Sequence, residues 1–161
     1  MSVATVSYLF PANSSRRAFP DPPAYEGRNT KRVGDRSEAA VLAALAERGY
    51  LVSVPFGENH RYDLVVDDGT RLLRVQVKTG RMFRGSIAFR CCSTHQHRRS
   101  GPTASRPYFG EVDFIAVYCR ENGKIYMVPE SEIVRTTAHL RLVPTINRQD
   151  RNIRWAERYE L

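Results

Sequence analysis

Residues 61–80, RYDLVVDDGTRLLRVQVKTG, read as two strands joined by a tight turn. Tyr62, Leu64 and Val66 alternate with Asp63 and Val65, and Leu73, Val75 and Val77 alternate with Arg74, Gln76 and Lys78. Period-two alternation marks a strand with one buried face. Asp68-Gly69 between the runs predicts a two-residue hairpin loop, because a type I′ turn needs positive φ at both central residues. With those two residues as the turn, Val66 pairs with Arg71 and Asp63 with Arg74, and cross-strand partners share a face. Asp63, Arg74, Gln76 and Lys78 then project to one side. A carboxylate, an amide oxygen and an ammonium gathered there suit a divalent cation and an attacking water.

Upstream, residues 35–48 are predicted to form a helix. Glu38, Val41, Leu42 and Leu45 fall at i, i+3, i+4 and i+7, which puts Glu38 at the end of the apolar stripe. Gly49 supplies the left-handed stop. Asp35-x-x-Glu38 also has the form of a capping box, so Glu38 reads either as a cap or as a group aimed at the hairpin. Tyr50–Val54 is expected as the first strand and Ile87–Cys91 as a third hairpin strand. Val112–Tyr118, VDFIAVY, is a near-continuous apolar run of the kind found in a buried central strand. Asn122-Gly123 marks a second hairpin turn, returning through Lys124–Val128. A short helix or turn is expected at residues 129–134 and a last short strand at residues 141–143. Trp155 and Tyr159 lie four apart, the spacing of one helical face.

Asp63 followed by Gln76-Val77-Lys78, with Glu38 on a preceding helix and PYFGEVDFIAVYCRENGKIYMVPESEI downstream, resembles the PD-(D/E)XK nucleases. The match is to their Gln-for-acid branch, which includes a cyanobacterial group I intron homing endonuclease. The resemblance covers residues 34–161 and implies an α/β, restriction-endonuclease-like core, a mixed central β-sheet flanked by helices. It implies a DNA endonuclease using Mg²⁺, with Mn²⁺ able to substitute, of a homing or restriction-like kind. Asp63, Gln76, the carbonyl of Val77 and Glu38 would form the metal site, and Lys78 would complete the catalytic set. Two positions depart from the pattern: Tyr62 stands where a Pro usually precedes the Asp, and Gln76 stands where an acid is usual. The alternatives are a Holliday-junction-resolving or repair nuclease, and a catalytically inactive DNA-binding protein of the same fold.

Composition supports a polyanionic partner: 161 residues carry a formal charge of +8. Residues 1–33 are rich in Pro, Ser, Asn and Arg and are expected to be a flexible basic arm. Residues 80–110 hold Arg81, Arg84, Arg90, Arg98, Arg99 and Arg106 and no Asp or Glu. Most of that stretch is expected to be a long loop, with Arg81, Arg84, Arg98, Arg99 and Arg106 gripping phosphates through guanidinium forks. Cys91-Cys92-x-x-His95-x-His97 lacks the spacing that lets two thiolates share a zinc ion. Three cysteines make no disulfide framework, and no apolar run approaches the ~18 residues of a membrane span. The expected setting is cytoplasmic, with no membrane contact. The expected partner is double-stranded or branched DNA, met by a homodimer or homotetramer, since one site per chain must cut two strands.

Overall fold

The computed structural model describes residues 29–57, 59–96, 103–144 and 152–161. In chain order these form helix α1 (Thr30–Glu47) and strands β1 (Leu51–Ser53), β2 (Leu64–Asp67), β3 (Leu72–Phe83), β4 (Ser86–Arg90), β5 (Cys92–Gln96) and β6 (Thr103–Pro107). There follow β7 (Phe114–Cys119), β8 (Lys124–Pro129), a 3₁₀ turn at Glu130–Glu132, β9 (Thr137–Arg141) and a second 3₁₀ turn at Ala156–Arg158.

Everything is hung on β3. Its first half pairs antiparallel with β2, its middle runs parallel to β7, and its last residues pair antiparallel with β4. One edge of β3 therefore carries β2 with β1 and, further along, β4 with β9; the other edge carries β7 with β8, and β5 and β6 form a separate ribbon. Only the β3–β7 pairing is parallel among these ladders, so the sheet is mixed. α1 lays Val41 and Leu45 on Leu64, Val66, Val75, Val77 and Ala116. The opposite face of the sheet packs Ile87, Phe89, Ile115, Val117, Tyr126 and Leu140, closed by Tyr108, Ala156 and Tyr159. Ile115, Ala116 and Val117 are all fully buried, as the unbroken apolar run of β7 requires.

Several expectations shift. α1 begins at Thr30 rather than at residue 35, because Asn29 Oδ1 accepts the Arg32 amide at 3.2 Å. Glu38 is thus two turns inside the helix, which removes the capping-box reading. The β2–β3 loop has four residues, not two: Asp67 pairs with Leu72, Val66 with Leu73 and Leu64 with Val75. The Asp68 carboxylate accepts from the Thr70 hydroxyl and from the Thr70 and Arg71 amides, bonds that hold its pKa down at about 2. Those side-chain bonds stabilise a wider turn in which Gly69 has positive φ and Asp68 does not. The register moves by two residues, so Asp63 falls opposite Gln76 instead of Arg74, and every side chain keeps its face.

The stretch expected as one long loop contains the β5–β6 ribbon, paired from Cys92↔Pro107 to Gln96↔Thr103. β9 ends where a strand was expected to begin. It alternates buried Ala138 and Leu140 with outward Thr137 and His139. The Trp155–Tyr159 segment is a 3₁₀ turn stitched to strands, with Trp155 bridging Arg141 and the Met127 amide bonding the Tyr159 carbonyl at 2.7 Å. Of the helices expected to flank the sheet, α1 is the sole α-helix among the described residues. No helix among them is long and apolar enough to cross a membrane.

Gly80 is where this arrangement is tightest. A Cβ there would sit 2.6 Å from Ile87 Cγ2 and 2.8 Å from Val117 Cγ1. Gly80→Ala is expected to cost about 1–3 kcal/mol through overpacking, read as a lower urea midpoint with an unchanged slope; an unaltered midpoint would mean the sheet yields freely at this point.

Candidate active site

Backbone groups alternate between the two edges of a strand. Val75 O and Val77 N both point towards Asp63 and β2, so Arg81 and Phe83, in step with them, meet β4 on that same edge. β2 stops at Val75 and β4 starts at Arg81. Between them the edge of β3 is open at Val77 and Thr79. A cleft of about 410 Å³ lies there, bounded by the start of α1 at Val33, Gly34 and Glu38 and by Asp63, Gln76, Val77, Lys78, Thr79 and Arg81.

Asp63 fills the gap in the ladder. Its Oδ2 accepts the Val77 amide at 2.7 Å and a second hydrogen bond from the Gln76 side-chain amide. Gln76 is 5% exposed, and its Nε2 also reaches the Val77 carbonyl at 3.2 Å. Burial pushes the Asp63 carboxyl up, against the opposing pull of the Val77 amide, the Lys78 ammonium and the Gln76 amide. Glu38 is raised as well, first by burial and then by the negative charge of Asp63, with Lys78 acting the other way. Two partly desolvated carboxyls thus share one cleft with one ammonium.

Glu38 reaches this place because its helix is pinned. Ser37, 1% exposed, bonds the Val33 carbonyl at 3.0 Å and shares a 2.6 Å hydrogen bond with the Thr79 hydroxyl on β3. Lys78 is held from elsewhere: its ammonium lies 4.9 Å from the ring centroid of buried Tyr108, and the Arg61 guanidinium lies 4.3 Å from the same centroid. Arg61 is itself fixed by Glu111, by Ser93 Oγ at 2.7 Å and by the Pro107 carbonyl at 2.7 Å. Ser37, Thr79, Arg61 and Tyr108 escaped the sequence reading, since their roles come from contacts 30 to 50 residues apart.

The basic residues divide. Arg81 lines the cleft. Arg84 sits at the β3–β4 turn with φ +47° and its guanidinium 5.2 Å from the Phe83 ring centroid, lining a different hollow. Arg106 forms an ion pair with Glu111, an acid just beyond the acid-free stretch. Arg98 and Arg99 lie outside the described residues, as do the first 28 residues of the N-terminal arm. Asp113 is a structural group, accepting the Arg74 amide at 2.7 Å and its guanidinium at 3.3 Å.

The donor set suits a hard divalent cation: the Asp63 carboxylate, the Val77 carbonyl and the Gln76 amide are oxygen donors in one cleft, with a second carboxylate at Glu38. Gln76 turns its NH₂ towards Asp63, and a half-turn of the amide brings its oxygen round instead. Among the described residues no three His, Cys, Asp or Glu side chains form a metal-holding cluster, and Gln76 stands in the cleft as an amide rather than an acid.

Residues 28–161 match the family model described as PD-(D/E)XK endonuclease. The chain belongs to the PD-(D/E)XK endonuclease family. Its α/β fold is restriction-endonuclease-like. Among solved structures it is similar to a bacterial homing endonuclease, I-Ssp6803I, at 30% identity and a TM-score of 0.67, over 83% of this chain and 89% of that one. No curated protein sequence matches it. Asp63 and Gln76-Val77-Lys78, the residues expected from the sequence to carry the motif, line one cleft.

The raised carboxyl of Glu38 has a consequence for stability. Its folded pKa lies above the unfolded value, so its contribution is favourable at low pH and is lost as pH rises through the folded pKa. In EDTA, Glu38→Gln is expected to raise the melting temperature at pH 8 and to leave it unchanged at pH 4. Equal melting temperatures at both pH values would contradict the desolvation of Glu38.

Proposed function

We propose that the chain is a Mg²⁺-dependent DNA endonuclease, with Mn²⁺ able to substitute, acting in a homing or restriction-like role. The observation that carries this reading is the convergence of Glu38, Asp63, Gln76, Val77 and Lys78 in one cleft with Arg81 at its rim. The family supports a nuclease, and its members generally use divalent metal ions.

Asp63, the Gln76 amide oxygen and the Val77 carbonyl would hold the ion, with Glu38 facing them from the helix. When bound, it supplies neutralisation of phosphate charge and a lowered pKa for water. The remaining work falls to the chain itself. Lys78 holds the attacking water in line and offsets charge growing on the phosphoryl oxygens, and Tyr108 and Arg61 fix the position of its ammonium. Glu38 orients water on the helix side of the cleft. Arg81 meets the phosphate beside the scissile one, and Arg84, Arg98, Arg99 and Arg106 extend the contact along duplex or branched DNA. One site per chain makes a homodimer or homotetramer the working unit for cutting both strands.

A second reading, a DNA-binding protein of this fold without catalysis, is favoured by one observation. Gln76, standing where an acid is usual, serves Asp63 as a hydrogen-bond donor.

Cleavage of plasmid, branched and single-stranded DNA with Mg²⁺ or Mn²⁺ separates the two. Asp63→Ala is expected to lower cleavage by about 10³-fold or more while DNA binding persists, since a carboxylate that repels phosphate is gone. Lys78→Ala is expected to lose about 10²–10⁴-fold in rate, the usual worth of a proton-handling group, with weaker binding. Gln76→Glu is expected to stay active with altered metal preference, because a carboxylate binds divalent ions more strongly than an amide. A parent chain that cuts none of these substrates would leave the binding protein standing.

For the arginine-rich segment, Arg98→Ala with Arg99→Ala is expected to reduce the slope of log affinity against log salt by about 0.9 per lost phosphate contact. An unchanged slope removes that segment from the interface.

A further inference from the structure

α1 covers only part of its side of the sheet. It rests on Val75 and Val77 of β3 and on β2 and β7, and stops short of β4 and β9. On the uncovered part, the register places Thr79 and Arg81 of β3, Ala88 and Arg90 of β4, and Thr137 and His139 of β9 on one face. Their strand neighbours Ile87, Phe89, Ala138 and Leu140 point the other way into the core. Arg81, Arg90, Thr137 and His139 are exposed, and a shallow groove of about 530 Å³ runs from Thr79 and Arg81 past Ala88 to Arg90 and Thr137. Thr79 and Arg81 also line the active-site cleft, so the groove and the cleft are continuous.

We propose that this open face of β3, β4 and β9 is a track for the sugar–phosphate backbone of a DNA duplex leaving the active site. The proposal rests on the nuclease reading above and adds the direction in which the substrate lies. Its support is charge complementarity and shape. Among the six outward positions two are guanidinium, one imidazole and two hydroxyl, and none is acidic. Of the acids that share a hollow with Arg81, Glu38 and Asp63 belong to the active-site cleft, and Glu121 is engaged by the Met82 amide at 3.2 Å and by the Cys119 thiol. Ala88 between the arginines leaves room for a backbone to lie close to the sheet. Two residues along a strand and one strand across separate Arg81 and Arg90 by on the order of 8 Å, so each meets its own phosphate. Threonine hydroxyls and guanidinium groups are standard phosphate donors, and such contacts fix register without reading sequence. Arg90 and Thr137 were not picked out as contacts by sequence because they lie 47 positions apart and meet only through the β4–β9 pairing.

The test uses the full chain carrying Asp63→Ala and a labelled random-sequence duplex, with anisotropy followed over a salt series. Arg90→Ala is expected to weaken binding and to lower the salt slope by about 0.9. Thr137→Glu should weaken it further, and Thr137→Lys should tighten binding and steepen the slope, a gain that misfolding cannot imitate. Arg71→Ala, in the β2–β3 loop just before β3, serves as the charge-matched control and should change neither. If Arg81→Ala lowers the slope while Arg90→Ala and both Thr137 variants leave it unmoved, the duplex leaves by another route. The track is then wrong and the nuclease reading survives. If the parent neither cuts DNA nor binds it in a salt-dependent way, both fall together.

Discussion

The structure turns on one hydrogen bond, from the Val77 amide to the Asp63 carboxylate at 2.7 Å. β3 is shared by β2 and β4 along one edge, and neither reaches Val77. A buried amide left without a partner costs about 1–3 kcal/mol, so a strand interrupted in this way needs a side chain to finish the ladder. Asp63, just before β2, does so. Its carboxylate is thereby fixed at the point where the sheet opens and where the Val77 carbonyl and Gln76 amide also gather. The gap that makes room for a substrate and the residue that repairs the gap are two sides of one feature.

Placing an ammonium beside this carboxylate raises a second problem, which the chain solves with an aromatic ring. Among the described residues Lys78 has no carboxylate within ion-pair distance; the ring of buried Tyr108 takes its place, with the Arg61 guanidinium also against it. Two cations near one ring repel each other. Glu111 draws off that repulsion at Arg61 and in turn holds Arg106 at the base of the β5–β6 ribbon. The ribbon that leads to the arginine-rich segment is therefore tied to the same residues that hold Lys78. Arg61 lies two positions before Asp63, so one short stretch of chain serves the ribbon, the lysine and the carboxylate together.

Much of this was legible in the sequence because it is periodic. Alternation in residues 61–80 fixed the two strands and the faces of Asp63, Gln76 and Lys78, and the slip of two residues in register left those faces intact. The slip itself was hidden in the side chain of Asp68, which bonds forward to Thr70 and Arg71 and widens a turn that Asp-Gly would otherwise close in two residues. The start of α1 was hidden for a similar reason, since Asn29 caps it from within a Pro- and Arg-rich stretch that has no apolar stripe. The β5–β6 ribbon carries no alternation of polar and apolar residues, and so looked like loop until its strands were paired. The site's supporting residues were the least legible, because Tyr108 and Arg61 act only through contacts made across the fold.

Gln76 gives the site its particular character. With an acid at that position, two carboxylates would face each other across the β2–β3 pair and a third would stand at Glu38. Desolvation has already raised both Asp63 and Glu38, so another negative charge in the same cleft would have to be neutralised at once by bound cation or proton. The amide avoids that and donates a hydrogen bond to Asp63. Under the proposed reading its oxygen would serve as a ligand only after the amide turns over. With an amide in place of an acid the cleft carries one less negative charge, which would weaken its hold on a divalent cation and ease the approach of a phosphate.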